Sequence, residues 1–171
     1  MNRDVSKLSE SEAKKWRFLS RVPEQDARSP RLQTLSQLLL AAAKRDARRF
    51  ALLALAVARD WVAYTRDGAQ FGGEDIAGFT REPTPNDALD ALERGRDDCD
   101  AKARLFVALC LAAGLPARMV PLVAGDRLKH VAGEVRVDGA WLHAETTLAR
   151  ACLGDLHTDV PRETNGKWRL T

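Results

Sequence analysis

A chain of 171 residues with 45% hydrophobic and 30% charged residues has the composition of one globular domain, long enough to bury a core without disulfides or a structural metal. Its longest apolar stretch, residues 50–58, is too short to span a bilayer, and the opening Met-Asn-Arg-Asp-Val-Ser-Lys-Leu lacks the apolar core of a secretory leader. A cytoplasmic protein with no membrane partner is expected. The net charge of +3 divides into a basic first third and an acidic remainder, and without interleaved aromatics or a recognised motif the basic part reads as solvated helix faces, so no nucleic-acid partner is expected.

Residues 1–30 are polar around Trp16, Phe18, Leu19 and Val22 and end in Ser29-Pro30, a favourable helix entry; they read as an arm or a short helix ahead of a main domain over 31–171, the whole forming one compact unit. From Arg31 to about Thr65, apolar residues at helical spacing (Leu32, Leu35, Leu39, then Phe50, Leu53, Ala54, Val57, Trp61, Tyr64) predict two helices, or one broken near Lys44–Asp46, with Trp61 in the core. Residues 67–90 gather Asp67-Gly68, Gly72-Gly73, Pro83 and Pro85, the composition of a long connection. Cys99 to Ala113 then predicts a buried helix that stops at Gly114 ahead of Pro116. Ala117–Val123 and Lys129–Val137 read as strands, Asp138-Gly139 as a two-residue hairpin turn into a strand over Trp141–Thr147, and Gly166-Lys167-Trp168 as part of a last strand.

The hairpin fixes a register. If Asp138 and Gly139 form the turn, Val137 pairs with Ala140, Glu134 lies opposite His143, and Ala132 lies opposite Glu145. His130 is then diagonal to Glu145, and because strand side chains alternate, both project from the face that also carries Ala132, Glu134 and His143, with diagonal neighbours about 7–8 Å apart.

Cys99 opens the buried helix, where the positive end of the helix dipole favours thiolate. Asp97, Asp98 and Asp100 oppose that charge, so an imidazolium close by is needed to hold a thiolate near neutral pH. His130 is the candidate, and Glu145 is placed to fix its tautomer. Each residue also has a plainer reading. Cysteines are mostly core residues, which is the expectation for Cys110 and Cys152; Asp97 or Asp98 caps the helix; His143 is either part of the site or a surface partner of Glu134. An odd count of three cysteines argues against a disulfide framework, and without a second cysteine or tight histidine spacing neither a metal nor another cofactor is expected.

From about Ala54 to Thr147 the chain resembles the bacterial and phage transglutaminase-like domains of the papain-like cysteine enzyme superfamily. The resemblance rests on ordered motifs: Asp60-Trp61-Val62-Ala63-Tyr64-Thr65-Arg66-Asp67, Asp98-Cys99-Asp100-Ala101-Lys102-Ala103, Ala112-Ala113-Gly114-Leu115-Pro116-Ala117-Arg118, the histidine strand from His130 to Val135, and Gly139-Ala140-Trp141-Leu142-His143-Ala144-Glu145-Thr146-Thr147. It implies an α+β fold with a papain-like core, in which N-terminal helices and the cysteine helix pack on a small antiparallel sheet. It also implies Cys99 as nucleophile, His130 as acid–base partner and Glu145 as the carboxylate that orients it. The family usually has Asp-Pro-Thr where this chain has Glu145-Thr146-Thr147, and an aromatic residue where it has Ala132. The implied activity is that of a cysteine amide hydrolase or peptidase working through a thioester on a protein or peptide substrate. A protein-crosslinking acyltransferase and a catalytically degenerate interaction module are the alternatives. The backbone N–H of Cys99 would serve the oxyanion, with Trp61 as a candidate second donor.

Overall fold

The computed structural model describes residues 3–65, 87–155, 162–164 and 167–169. Residues 66–86, most of the expected long connection, lie outside the described residues.

The chain begins with more than an arm. After a 3-10 turn at Val5–Lys7 come α1 (Glu10–Leu19), whose N-cap Ser9 accepts from the Glu12 N–H, and α2 (Val22–Asp26), which has a proline in its first turn. Leu19 and Val22 are buried, and the fully buried Asp26 carboxylate accepts from the Arg104 guanidinium, with one bond at 2.8 Å. The first thirty residues are thus joined to the core by apolar contacts and an ion pair.

Two helices follow, α3 (Pro30–Ala42) and α4 (Ala47–Asp60). The break falls where expected, because Lys44 and Arg45 take left-handed φ values of 54° and 59° before Asp46 caps α4 by accepting from the Arg49 N–H at 2.7 Å. Helical spacing placed Trp61 in the core, but α4 ends one residue earlier. Trp61 is 61% exposed, and the chain turns so that Val62 takes the buried place.

β1 (Ala63–Tyr64) pairs in parallel with β2 (Arg96–Asp97), and between them α5 (Asp87–Arg94) occupies the last part of the stretch expected to be a connection. Its Ala88, Leu89 and Ala91 are buried, a helical spacing that the nearby prolines and glycines outweighed in the sequence.

α6 (Cys99–Ala112) is the central element. Asp98 caps it by accepting from the Ala101 N–H at 3.3 Å, and Gly114, at a φ of 80°, ends it with N–H bonds from Gly114 to Leu111 and from Leu115 to Cys110. Residues Leu105 to Cys110 are buried without interruption, because α2, α3, α4 and α5 pack on one side of the helix and the sheet on the other. Ser36 of α3 donates its hydroxyl to the Leu109 carbonyl at 2.9 Å inside that packing.

The sheet runs β3 (Ala117–Ala124), β4 (Arg127–Val137), β5 (Ala140–Ala144), antiparallel throughout. Asp138 and Gly139 both have positive φ, the two-residue turn that matches strand twist, and the expected register holds, with Val137 opposite Ala140 and Glu134 opposite His143. Against α6 the strand offers Val131, Gly133 and Val135; a Cβ on Gly133 would stand 2.5 Å from the Phe106 ring, so only glycine lets helix and strand approach this closely. β5 stops at Ala144, short of the expected Thr147, because the Glu145 carboxylate accepts from both the N–H (2.8 Å) and the hydroxyl (2.6 Å) of Thr147 and turns the chain. Near the C-terminus β6 (Arg162–Thr164) pairs with β7 (Lys167–Arg169), the latter covering most of the expected last strand. The whole is the expected α+β arrangement, with a cysteine helix on a small antiparallel sheet.

Candidate active site

A cleft of about 380 Å³ opens where the N-terminus of α6 meets the beginning of β4. Cys99, the first residue of α6, and His130 both line it, together with Tyr64, which the β1–β2 pairing carries there. Glu145 stands behind His130, 1% exposed. Its Oε2 lies 2.8 Å from His130 Nε2, so the diagonal relation read from the hairpin becomes a direct hydrogen bond. The longer reach of glutamate, against the aspartate usual in the resembling domains, closes that diagonal.

Burial pushes the Glu145 carboxyl up, but bonds from His130 and from the Thr147 hydroxyl and N–H outweigh it and hold the group at about 2. An ionised carboxylate only accepts, so His130 Nε2 must carry the hydrogen, leaving Nδ1 as the nitrogen for proton exchange. This is the geometry in which an imidazole acts as a base with its tautomer fixed.

The thiol is not poised in the same way. Although Cys99 as a residue is part-exposed at the cleft, its sulfur is enclosed, and burial pushes the thiol well above its ordinary range. Asp98 and Asp100 raise it further, as expected, and so does Glu145, while the backbone N–H of Val131 bonds the sulfur and pulls the other way. That N–H belongs to the residue next to His130, which brings the sulfur against the histidine strand.

Lys102, one turn further along α6, is a charge that sequence reasoning assigned no role. Only 1% exposed, it donates its ammonium to the carbonyls of Arg59 (3.0 Å) and Val62, binding the end of α4 and the entry to β1 onto the cysteine helix. Burial pushes it down to about 8 against the attraction of Asp60, Glu145 and Asp97. Nothing in the sequence separates such a lysine from a solvated one except its place on a helix that is otherwise apolar.

His143 is no surface residue. It is buried opposite Glu134, and its Nδ1 lies 3.4 Å from an Arg3 nitrogen that can donate to it. Glu134 accepts from Arg3 and, at 2.7 and 2.9 Å, from Arg118, whose guanidinium also lies 4.2 Å from the centre of the Trp141 ring. These residues share the sheet face of His130 and Glu145 but form a separate cluster outside the cleft. Cys110 is a core residue as expected, whereas Cys152, expected in the core, is exposed in the turn after β5. Among the described residues no cluster of three or more histidine, cysteine or acidic side chains is arranged to hold a metal ion.

No curated protein and no solved structure matches the chain. The family model of the transglutaminase-like superfamily matches residues 62–146, a span that begins at the entry to β1 and ends beside Glu145, so that it takes in Cys99, His130 and the whole hairpin. Through that span the chain belongs to the transglutaminase-like superfamily.

Proposed function

We propose that the protein is a cysteine amide hydrolase or peptidase that works through a thioester on Cys99, with His130 as acid–base partner and Glu145 as the group that orients it, acting on a protein or peptide substrate. The observation that carries this reading is the buried His130–Glu145 hydrogen bond at 2.8 Å behind a cleft that Cys99 and His130 both line. The Cys99 proton passes to His130 Nδ1 as the sulfur attacks the amide carbonyl carbon; His130 returns that proton to the departing amine as the C–N bond breaks. Water then attacks the thioester, giving a proton to His130 that returns to the sulfur. A lysine amine in place of water gives a crosslink by the same steps. The N–H of Cys99, at the start of α6, is one donor for the developing oxyanion. Trp61 is no longer a natural second donor, because it lies exposed at the end of α4 and not on the cleft wall.

The enclosed, raised thiol favours a second reading, an interaction module that keeps the fold without turnover. Alkylation of Cys99 by iodoacetamide, followed by peptide mass from pH 5 to 10 in the wild type and in His130→Ala, separates the two. The hydrolase requires labelling near neutral pH that depends on His130. The same thiol titration in both proteins sinks it and leaves the interaction module.

A further inference from the structure

The cleft has one basic wall. Lys15 of α1 and Arg127 and Lys129 of β4 all line it, beside Leu128 and facing the start of α6. This wall is built, not incidental. α1 is fastened to the beginning of β4 by the Ser9 N–H bonding the Asp126 carbonyl at 2.9 Å and by the Glu12 carboxylate accepting from the Leu128 N–H at 2.9 Å. The Glu12 carboxylate is therefore engaged with that backbone, and Lys15, one turn on, lines the cleft.

The strand itself is altered at the same place. Leu122 pairs with His130 but Val123 pairs with Leu128, so Lys129 is an extra residue with no partner on β3. In a regular strand, Lys129 and His130 would point to opposite faces. The irregularity falls where the strand lines the cleft, and β-bulges beside functional sites commonly re-aim a side chain. Arg127 and Lys129 are exposed and make no ion pair among the described residues. The lining acids, Asp98 and Asp100, both belong to the α6 end, and Asp98 is occupied as its N-cap.

From this we infer that Arg127 and Lys129 form a subsite for a carboxylate, so that the substrate is an acidic peptide carrying an Asp or Glu side chain close to the amide that Cys99 attacks. The inference rests on Cys99 being the nucleophile, but the preference of the cleft for an anionic reagent can be read by alkylation of that sulfur whether or not it turns over. Exposed cations at one wall of a cleft draw anionic ligands to that wall, and the effect weakens with salt.

The test compares two alkylating agents of nearly equal size, anionic iodoacetate and neutral iodoacetamide, in the intact protein, with rates read at Cys99 and at exposed Cys152 by peptide mass. Because the ratio of the two rates is taken at one sulfur, its thiolate fraction cancels. Failure of the hydrolase reading therefore shows in the pH profile of iodoacetamide alone, and failure of the subsite shows in the ratio. The expected iodoacetate-to-iodoacetamide ratio at low salt is about threefold or more higher at Cys99 than at Cys152, converging as salt is raised to 0.5 M. Arg127→Gln with Lys129→Gln should bring the Cys99 ratio down to that of Cys152. A ratio at Cys99 no higher than at Cys152, or one that the double substitution leaves unchanged, overturns the inference.

Discussion

Two glutamates, Glu134 on the sheet and Glu145 just past the end of β5, are buried, ionised and held by hydrogen-bonding partners, yet they differ in what those partners can do. Glu134 is gripped by Arg3 and Arg118, and Glu145 by His130 and Thr147. In each case burial pushes the carboxyl up and the partners more than reverse it. A guanidinium keeps its proton at any working pH, so the Glu134 cluster is a fixed clamp. An imidazole takes a proton and gives it back, so the Glu145 pair can take part in chemistry. Burial and charge alone do not distinguish a site from a fastening; the nature of the partner does.

The largest expected difference follows from that contrast. Glu145→Gln should slow the burst of p-nitrophenol released from p-nitrophenyl acetate as Cys99 is acylated, on the order of 10²–10⁴-fold, since an amide no longer selects the tautomer that leaves Nδ1 as base. Glu134→Gln should leave the burst within about threefold, because its partners hold no transferable proton. Equal losses in the two variants would break the comparison.

Acid should sharpen it. Glu145 binds its proton less tightly in the folded protein than in the unfolded chain, so between about pH 4.5 and 2 the unfolded chain takes up more protons and stability falls as pH falls. The loss over that window is about 3 kcal/mol from this group. Urea unfolding midpoints followed from pH 6 to 2.5 should show a gentler decline in Glu145→Gln than in the wild type; parallel curves would mean that the His130 bond contributes nothing to stability.

The opposite face of β4 gives the next effect. Val131, Gly133 and Val135 lie toward α6, and a methyl group at Gly133 has no space beside the fully buried Phe106 ring. Gly133→Ala should cost about 2 kcal/mol in urea unfolding by forcing helix and strand apart. Because α6 carries Cys99 at its other end from the turn at Gly114, the same variant should also alter Cys99 alkylation, which Glu134→Gln should not.

How far the sequence reached depends on the range of the physics involved. The hairpin was legible because its turn, register and alternation are all local, and they carried His130 to Glu145 without any knowledge of the rest of the fold. The break at Lys44–Asp46 and the stop at Gly114 were legible for the same reason. Trp61, Cys152 and α5 were not, because periodicity cannot tell that a helix stops one residue early, and the turn-forming residues before α5 hid an apolar stripe of three. Cys99 shows the limit most plainly. Its place at a helix start was readable, but the enclosure of its sulfur, which opposes the dipole, comes from tertiary packing. The clamp on Glu134 was equally out of reach, since it pairs residues 131 positions apart.

That clamp yields the smallest effect. Arg3 is 42% exposed at its side chain, so its bonds to Glu134 and His143 are partly screened by water, and Glu134 keeps both bonds from Arg118 when Arg3 is removed. Arg3→Ala should therefore cost no more than about 1 kcal/mol, seen as a small fall in thermal midpoint that added salt diminishes. Arg118→Ala removes both bonds to Glu134 Oε2 and the contact with Trp141 together, and should cost more. If Arg3→Ala proved the costlier of the two, the weight of the Glu134 cluster would lie in the docking of the N-terminal segment and not in the cross-strand pair, and the separation drawn between clamp and site would have to extend to how that segment covers the sheet face they share.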